Sequence, residues 1–302
     1  MRRCPATRKT AGRRARQETA AAGLHRKLAG QFAVVLAREA AAAAGDVEAL
    51  HDIRVALRRI RSLAATFERL DRDFLKTLDK RIAKVCDRMG AARDMDVWID
   101  LLSGLIRAGG LDEMTARDRR QVLVVLRRQR TRLATEALGC GLFRRVKRML
   151  RERLRRPGQW RRKSGAAAEF AARRMLAVRG LIAERHRKVG SYSKGPAHDL
   201  RRAGRRLRYL AEFFAEDLGP ACVRAGKWIT KAQAALGKVH DCDNALELSA
   251  GLPTGAARRA VRRALKRRRT AQLKKFKAAW RRYAAPRLQE TWQARLEAAA
   301  AG

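Results

Sequence analysis

Apolar residues recur at three- and four-residue steps along most of this 302-residue chain, the spacing of a helix that buries one face. Leu28, Phe32, Val35 and Leu36 mark a first helix from Leu24 to Ala44, ended by Gly45. Asp46 is placed as an N-cap with Glu48 in the first turn, so a second helix starts there and runs to about Arg69. The pattern predicts further helices over Phe74 to Met89, Asp94 to Arg107, Thr115 to Leu138 and Leu142 to Arg155, with a break at Gly109-Gly110. After a linker over 156–166, helices are expected from Ala167 to Val189, through a segment with Pro196 in its first turn, and from Ala221 to Leu236. Others follow over Asp243 to Ala250, Ala256 to Tyr283 and, past Pro286, to about Ala299, with a break over Gly251 to Gly255. The fold class is all-α. Residues 1–23, rich in Arg, Ala and Thr, read as a basic flexible arm.

The pattern also repeats. HDIRVALRRIRSLAATF (His51 to Phe67) returns as HDLRRAGRRLRYLAEFF (His198 to Phe214), 147 residues later and identical at 10 of 17 positions. The same offset aligns Lys80 to Asp96 with Lys227 to Asp243, matching Gly90 with Gly237, Asp94 with Asp241 and Asp96 with Asp243. A period this long does not make a solenoid unit. It divides the chain into two similar halves, 24–155 and 167–302, related by a pseudo-two-fold. On a helical wheel Ile53, Ala56, Leu57, Ile60 and Leu63 share one side, while His51, Arg54, Arg58 and Arg61 form a stripe about 80° wide on the other. His198, Arg201, Arg205 and Arg208 repeat that stripe. Like charges at i,i+4 weaken a helix, so a stripe kept twice points to a polyanion facing both copies.

The doubled H-D-x-R-x-A-x-R-R-[IL]-R-x-L pattern resembles the CHAD (conserved histidine α-helical domain) family, and the Gly-x-x-Arg-Asp-x-Asp segment at Gly90 to Asp96 resembles that family's first-half motif and Gly237 to Asp243 its second. The likeness runs from about Leu24 to about Leu296. It implies two antiparallel helical bundles that bind inorganic polyphosphate along a basic groove or pore, and association with polyphosphate granules and their enzymes or other proteins.

Composition narrows the partner. Lys+Arg number 72 against 29 Asp+Glu, a net charge of +43 that calls for nucleic acid, an anionic membrane or polyphosphate. The excess of Arg over Lys suits bidentate contact with phosphate oxygens. The five scattered cysteines make no CxxC and read as reduced thiols in a cytosol. No apolar run reaches the length of a membrane span. The length leaves room for two cores.

The candidate polyphosphate-binding residues are the two stripes, together with Lys80, Lys84 and Arg93 in the first half and Lys227, Lys231 and Lys238 in the second. Asp52 and Asp199 are placed to brace arginines, and Asp94, Asp96, Asp241 and Asp243 to cap helices or hold arginines. No catalytic residue, metal ligand or cofactor is assigned. The His-Asp dipeptides at His51, His198 and His240 allow an alternative, a metal-dependent phosphohydrolase of the HD type. The duplicated arginines do not belong to that family and would repel a divalent cation. A nucleic-acid binder is the stronger rival. Against it, aromatics are 5% of the chain and are not interleaved with the stripes, where single-strand binders offer stacking platforms.

Overall fold

A computed structural model describes residues 18–109, 114–160, 165–252 and 255–301. Ten α-helices account for nearly all of them, with no strand among the described residues. The first half holds α1 (Ala20–Ala43), α2 (Val47–Thr66), α3 (Arg72–Arg107), α4 (Ala116–Gly139) and α5 (Gly141–Leu154). The second holds α6 (Ala167–Arg187), α7 (Lys194–Leu218), α8 (Pro220–Leu248), α9 (Gly255–Tyr283) and α10 (Pro286–Ala301). The starts of α1 and α6, and of α2 and α7, lie 147 residues apart, the offset of the repeat. Most consecutive helices pack against each other within each half, while α10 packs on α6 and α8. Across the halves α1 meets α6, α2 meets α7 and α3 meets α8.

Local chemistry fixes the ends. The Asp46 carboxylate accepts from the backbone N–H groups of Glu48 (2.8 Å) and Ala49 (3.1 Å), so α2 starts where its cap is. Thr19 caps α1 by accepting from Ala22 N–H. Beside it, Ala20 N–H donates to the Gly165 carbonyl and Ala167 N–H to Glu18, a single antiparallel bridge that pins the starts of α1 and α6 together. The expected arm is therefore shorter at its end, because Ala20 to Gly23 form the first turn of α1. The rest of it, residues 1–17, lies outside the described residues, as do residues 161–164 of the linker, Gly110 of the Gly-Gly break, and residues 253–254.

Two expected breaks are absent. The helices predicted over Phe74 to Met89 and Asp94 to Arg107 are one continuous α3, and those over Ala221 to Leu236 and Asp243 to Ala250 are one α8. Gly90 and Gly237 sit inside these helices with ordinary helical backbone, each within van der Waals reach of an arginine. A Cβ on Gly90 would meet Arg54 Nη1 at 3.7 Å, and one on Gly237 would meet the Arg201 guanidinium at 3.7 Å.

The two cores are not one per half. The large cluster runs through both, from Leu24, Ile53, Ile60 and Ile82 to Leu200, Leu207, Ile229 and Leu296. A smaller cluster joins Trp98, Leu101 and Leu102 of α3 to Ala245, Val261 and Leu265 of α8 and α9. Within the shared core one pair of matched positions differs in both size and polarity. Leu57 and Cys86 are buried in the first half. Their counterparts under the 147 offset are Gly204 and Gln233, and a Cβ on Gly204 would run into the buried Gln233 amide.

Candidate polyanion cleft

The amphipathic motif helices α2 and α7 turn their apolar faces into the core and their basic faces toward each other. Arg59 of α2 donates from Nε (3.1 Å) and Nη2 (2.7 Å) to Glu212 of α7, and the other oxygen of that carboxylate lies 3.2 Å from Arg208. Tyr209 is buried beneath both guanidiniums, 5.9 Å from Arg59 and 4.9 Å from Arg208, so its ring offers no open face. Between the two helices lies a solvent-open cleft of about 630 Å³, lined by Arg58, Arg61, Arg202, Arg205 and Arg206, with Arg174 reaching in from α6. Arg61 is held there by Asp79 at 2.7 Å.

Deeper in, the matched arginines crowd. Arg54 is buried and donates from Nη1 to the Cys86 carbonyl at 2.9 Å, an acceptor within α3. Burial and the nearby Arg58 push the Arg54 guanidinium down to about 10. Burial, Arg58 and Arg201 push Arg205 down to about 9. Arg201 is also lowered by burial, against the pull of Asp241. At pH 7 all of these remain cations. Among the described residues, Arg58, Arg201 and Arg205 have no carboxylate within ion-pairing distance, so cations from opposite halves stand together unneutralised.

The histidines stand beside these arginines. His198 stacks on His240 with ring centroids 4.7 Å apart. Burial, then Arg201, His198 and Lys194, depress His240 to about 3. Burial also lowers His198, helped by Arg201 and Arg202, and His51, helped by Arg93. All three are neutral at pH 7 and become cations only when an anion arrives or the pH falls. On the α3–α8 side a second opening is lined by Arg93, Lys238, Arg268 and Asp241. Desolvation raises Asp241 and Asp94, against the pull of Arg201 and Arg54 respectively, and the Asn244 side chain bonds Asp94 across the halves.

A family model described as the CHAD domain matches residues 26–250. The chain belongs to the CHAD domain family. Its fold is shared with two solved structures. The crystal structure of the CHAD domain from the plant Ricinus communis is 23% identical, with 93% of each chain covered and a TM-score of 0.62. PptA from Streptomyces chartreusis is 19% identical, covering 87% of this chain and 100% of that one, with a TM-score of 0.65. No curated protein matches.

The CHAD fold sorts the residues expected from sequence. Arg58, Arg61 and Arg205 line the α2–α7 cleft, while Arg54 and Arg201 do not line it but lie close enough to Arg58 and Arg205 to repel them. Arg208 is engaged by Glu212. Arg93 and Lys238 share the α3–α8 opening. Lys80, Lys84 and Lys227 do not line either opening; they are exposed along α3 and α8. Lys231 faces α9 instead. Asp96 and Asp243 hold arginines as expected, Asp94 and Asp241 form no ion pair among the described residues, and none of the four caps a helix, because α3 and α8 run through them. Asp96 binds Arg130 at 2.7 Å and Asp243 binds Arg269 at 2.6 Å. Asp52 braces Arg38 at 3.0 Å, and Asp199 lies 3.9 Å from Arg185. His240, Arg174, Arg202, Arg206 and Arg268 join these openings and their surroundings, although the sequence assigned none of them to the binding site. The 147 offset places His240 opposite Arg93, a signal that was available.

Proposed function

We propose that this CHAD domain binds inorganic polyphosphate in the α2–α7 cleft and holds it without cleaving it. CHAD domains are linked to polyphosphate binding in general. The observation that carries the reading for this chain is the convergence of Arg58, Arg201 and Arg205, from both halves, without a carboxylate to neutralise them. Their mutual repulsion in a desolvated wall is relieved by an anion with closely spaced charges. Arg54, Arg61 and Arg93 add donors in fork geometry, and His51, His198 and His240 gain protons as the anion enters. A ligand made only of phosphate needs no stacking platform, and the one tyrosine beside the stripe is buried. Among the described residues no group of His, Cys, Asp and Glu is arranged to hold a metal ion, which favours binding over metal-assisted hydrolysis. Association with polyphosphate granules in the cytoplasm follows from this reading.

The test is titration with long and short polyphosphate and with DNA of equal phosphate count at several salt concentrations. Polyphosphate is expected to bind more tightly than DNA. Arg58→Glu and Arg205→Glu, checked for folding by circular dichroism, are each expected to weaken it and to flatten the slope of log affinity against log salt. No phosphate release is expected with Mg²⁺ or Mn²⁺. A folded double variant that binds long chains like the parent overturns the reading.

A further inference from the structure

A second groove runs between α8 and α9, away from the α2–α7 cleft. Its empty volume is about 920 Å³, open to solvent, and its walls carry Lys231 and Lys238 from α8 and Lys275 and Arg282 from α9 over a floor of alanines. No carboxylate lines it, whereas the cleft contains Asp79 and the α3–α8 opening contains Asp96 and Asp241. Among the described residues none of these four cations makes an ion pair. Helix α9 has no Asp or Glu from Gly255 to Tyr283, and twelve of its Lys and Arg side chains are exposed. Many stand at i,i+4 from one another, such as Arg258, Arg262 and Lys266, an arrangement that weakens a helix with no acid to offset it.

Lys238 belongs to both places. It lines the α3–α8 opening with Arg93 and Arg268, and it lines the α8–α9 groove with Lys231 and Lys275. The two openings therefore share a cationic wall. The groove's one aromatic, Trp228, already has Lys231 Nζ over its ring at 4.6 Å, so it presents no bare face for a base.

We propose that the α8–α9 groove is a second polyanion site, on which a long phosphate chain continues after leaving the cleft past Arg93 and Lys238. The proposal rests on the polyphosphate reading of the cleft and adds a consequence that reading lacks. Affinity should keep rising with chain length after the cleft is full, because the second segment binds at high effective concentration. The groove should contribute nothing to chains too short to reach it.

The experiment compares tripolyphosphate with long-chain polyphosphate on the full chain. Lys231→Ala/Lys275→Ala/Arg282→Ala alters exposed positions and is checked for folding by circular dichroism. It should lower long-chain affinity by roughly tenfold or more and leave tripolyphosphate affinity within about twofold. On the unaltered protein, lysine acylation read by mass spectrometry should show Lys231, Lys238 and Lys275 protected by long chains and not by tripolyphosphate. If both lengths bind but these lysines react equally with and without long chains, the second site is overturned and the cleft reading stands. If neither length binds, both fall. If duplex DNA protects the same lysines at equal affinity, the assignment of the groove to a phosphate chain is overturned.

Discussion

Asp96 of α3 and Arg130 of α4 form a buried ion pair, 2.7 Å from Oδ1 to Nε, with 3% and 5% of their side chains exposed. Arg130 also donates from Nη1 to the Gly45 carbonyl at 2.9 Å, so one guanidinium fixes α4 to α3 and to the turn that starts α2. Removing one member leaves the other charged and out of water. Asp96→Ala or Arg130→Ala is expected to cost about 3–5 kcal/mol in urea unfolding. Asp243→Ala, whose partner Arg269 is 21% exposed, should cost less. Equal, small losses in all three would show that these pairs do not hold the helices in place.

The crowded guanidiniums set binding against stability. Arg58 presses on Arg54, Arg201 and Arg205, lowering all three, and it has no acid partner among the described residues. Arg58→Gln removes one cation and keeps much of the side chain's length. The variant is expected to melt a few degrees higher than the parent without ligand, since about 1 kcal/mol shifts Tm by roughly 2–4 °C in a domain of this order. With long-chain polyphosphate present, the order of melting temperatures should reverse. Thermal melts with and without the polymer decide it.

The histidines give pH effects of opposite sign on stability and on binding. His240 is depressed to about 3 when folded, so the unfolded chain binds its proton first as pH falls. Stability from this group is present above about pH 6.5 and is lost progressively as pH drops toward 3. Asp94 and Asp241, raised by desolvation, act in the other direction, so the group is isolated by difference. Between pH 6.5 and 4 the parent should lose stability relative to His240→Asn. Lys194, Arg201, Arg205 and His198 face His240, and a bound anion offsets their repulsion. Polyphosphate affinity should therefore rise from pH 8 to pH 5.5 with proton uptake, measured by calorimetry in buffers of different ionisation enthalpy. Affinity that ignores pH in the parent and in His240→Asn would remove the histidines from the site.

Much of this was legible in the sequence because it is local or repeated. The Asp46 cap and the helical faces depend on near neighbours, and the 147-residue offset marks matched contacts such as Arg54 at Gly90 and Arg201 at Gly237. What failed depends on which helix comes alongside. Gly90 and Gly237 read as breaks in sequence, yet α3 and α8 continue through them. Arg202 and Arg206 fall off the wheel's stripe, yet they line the cleft together with Arg174 of α6. Lys231 matches Lys84 by repeat but faces α9. His240 was obscured because its match is an arginine, a different residue type at the same place.

The exchange of Leu57 and Cys86 for Gly204 and Gln233 makes the two halves non-interchangeable. A chain built from two first halves would lack the buried amide, and one that mixed the pairs would set Leu against Gln or Gly against Cys, too full in one case and hollow in the other. Each duplicate is thus committed to its own side of the shared core, and exchanging one half for a copy of the other would not rebuild it.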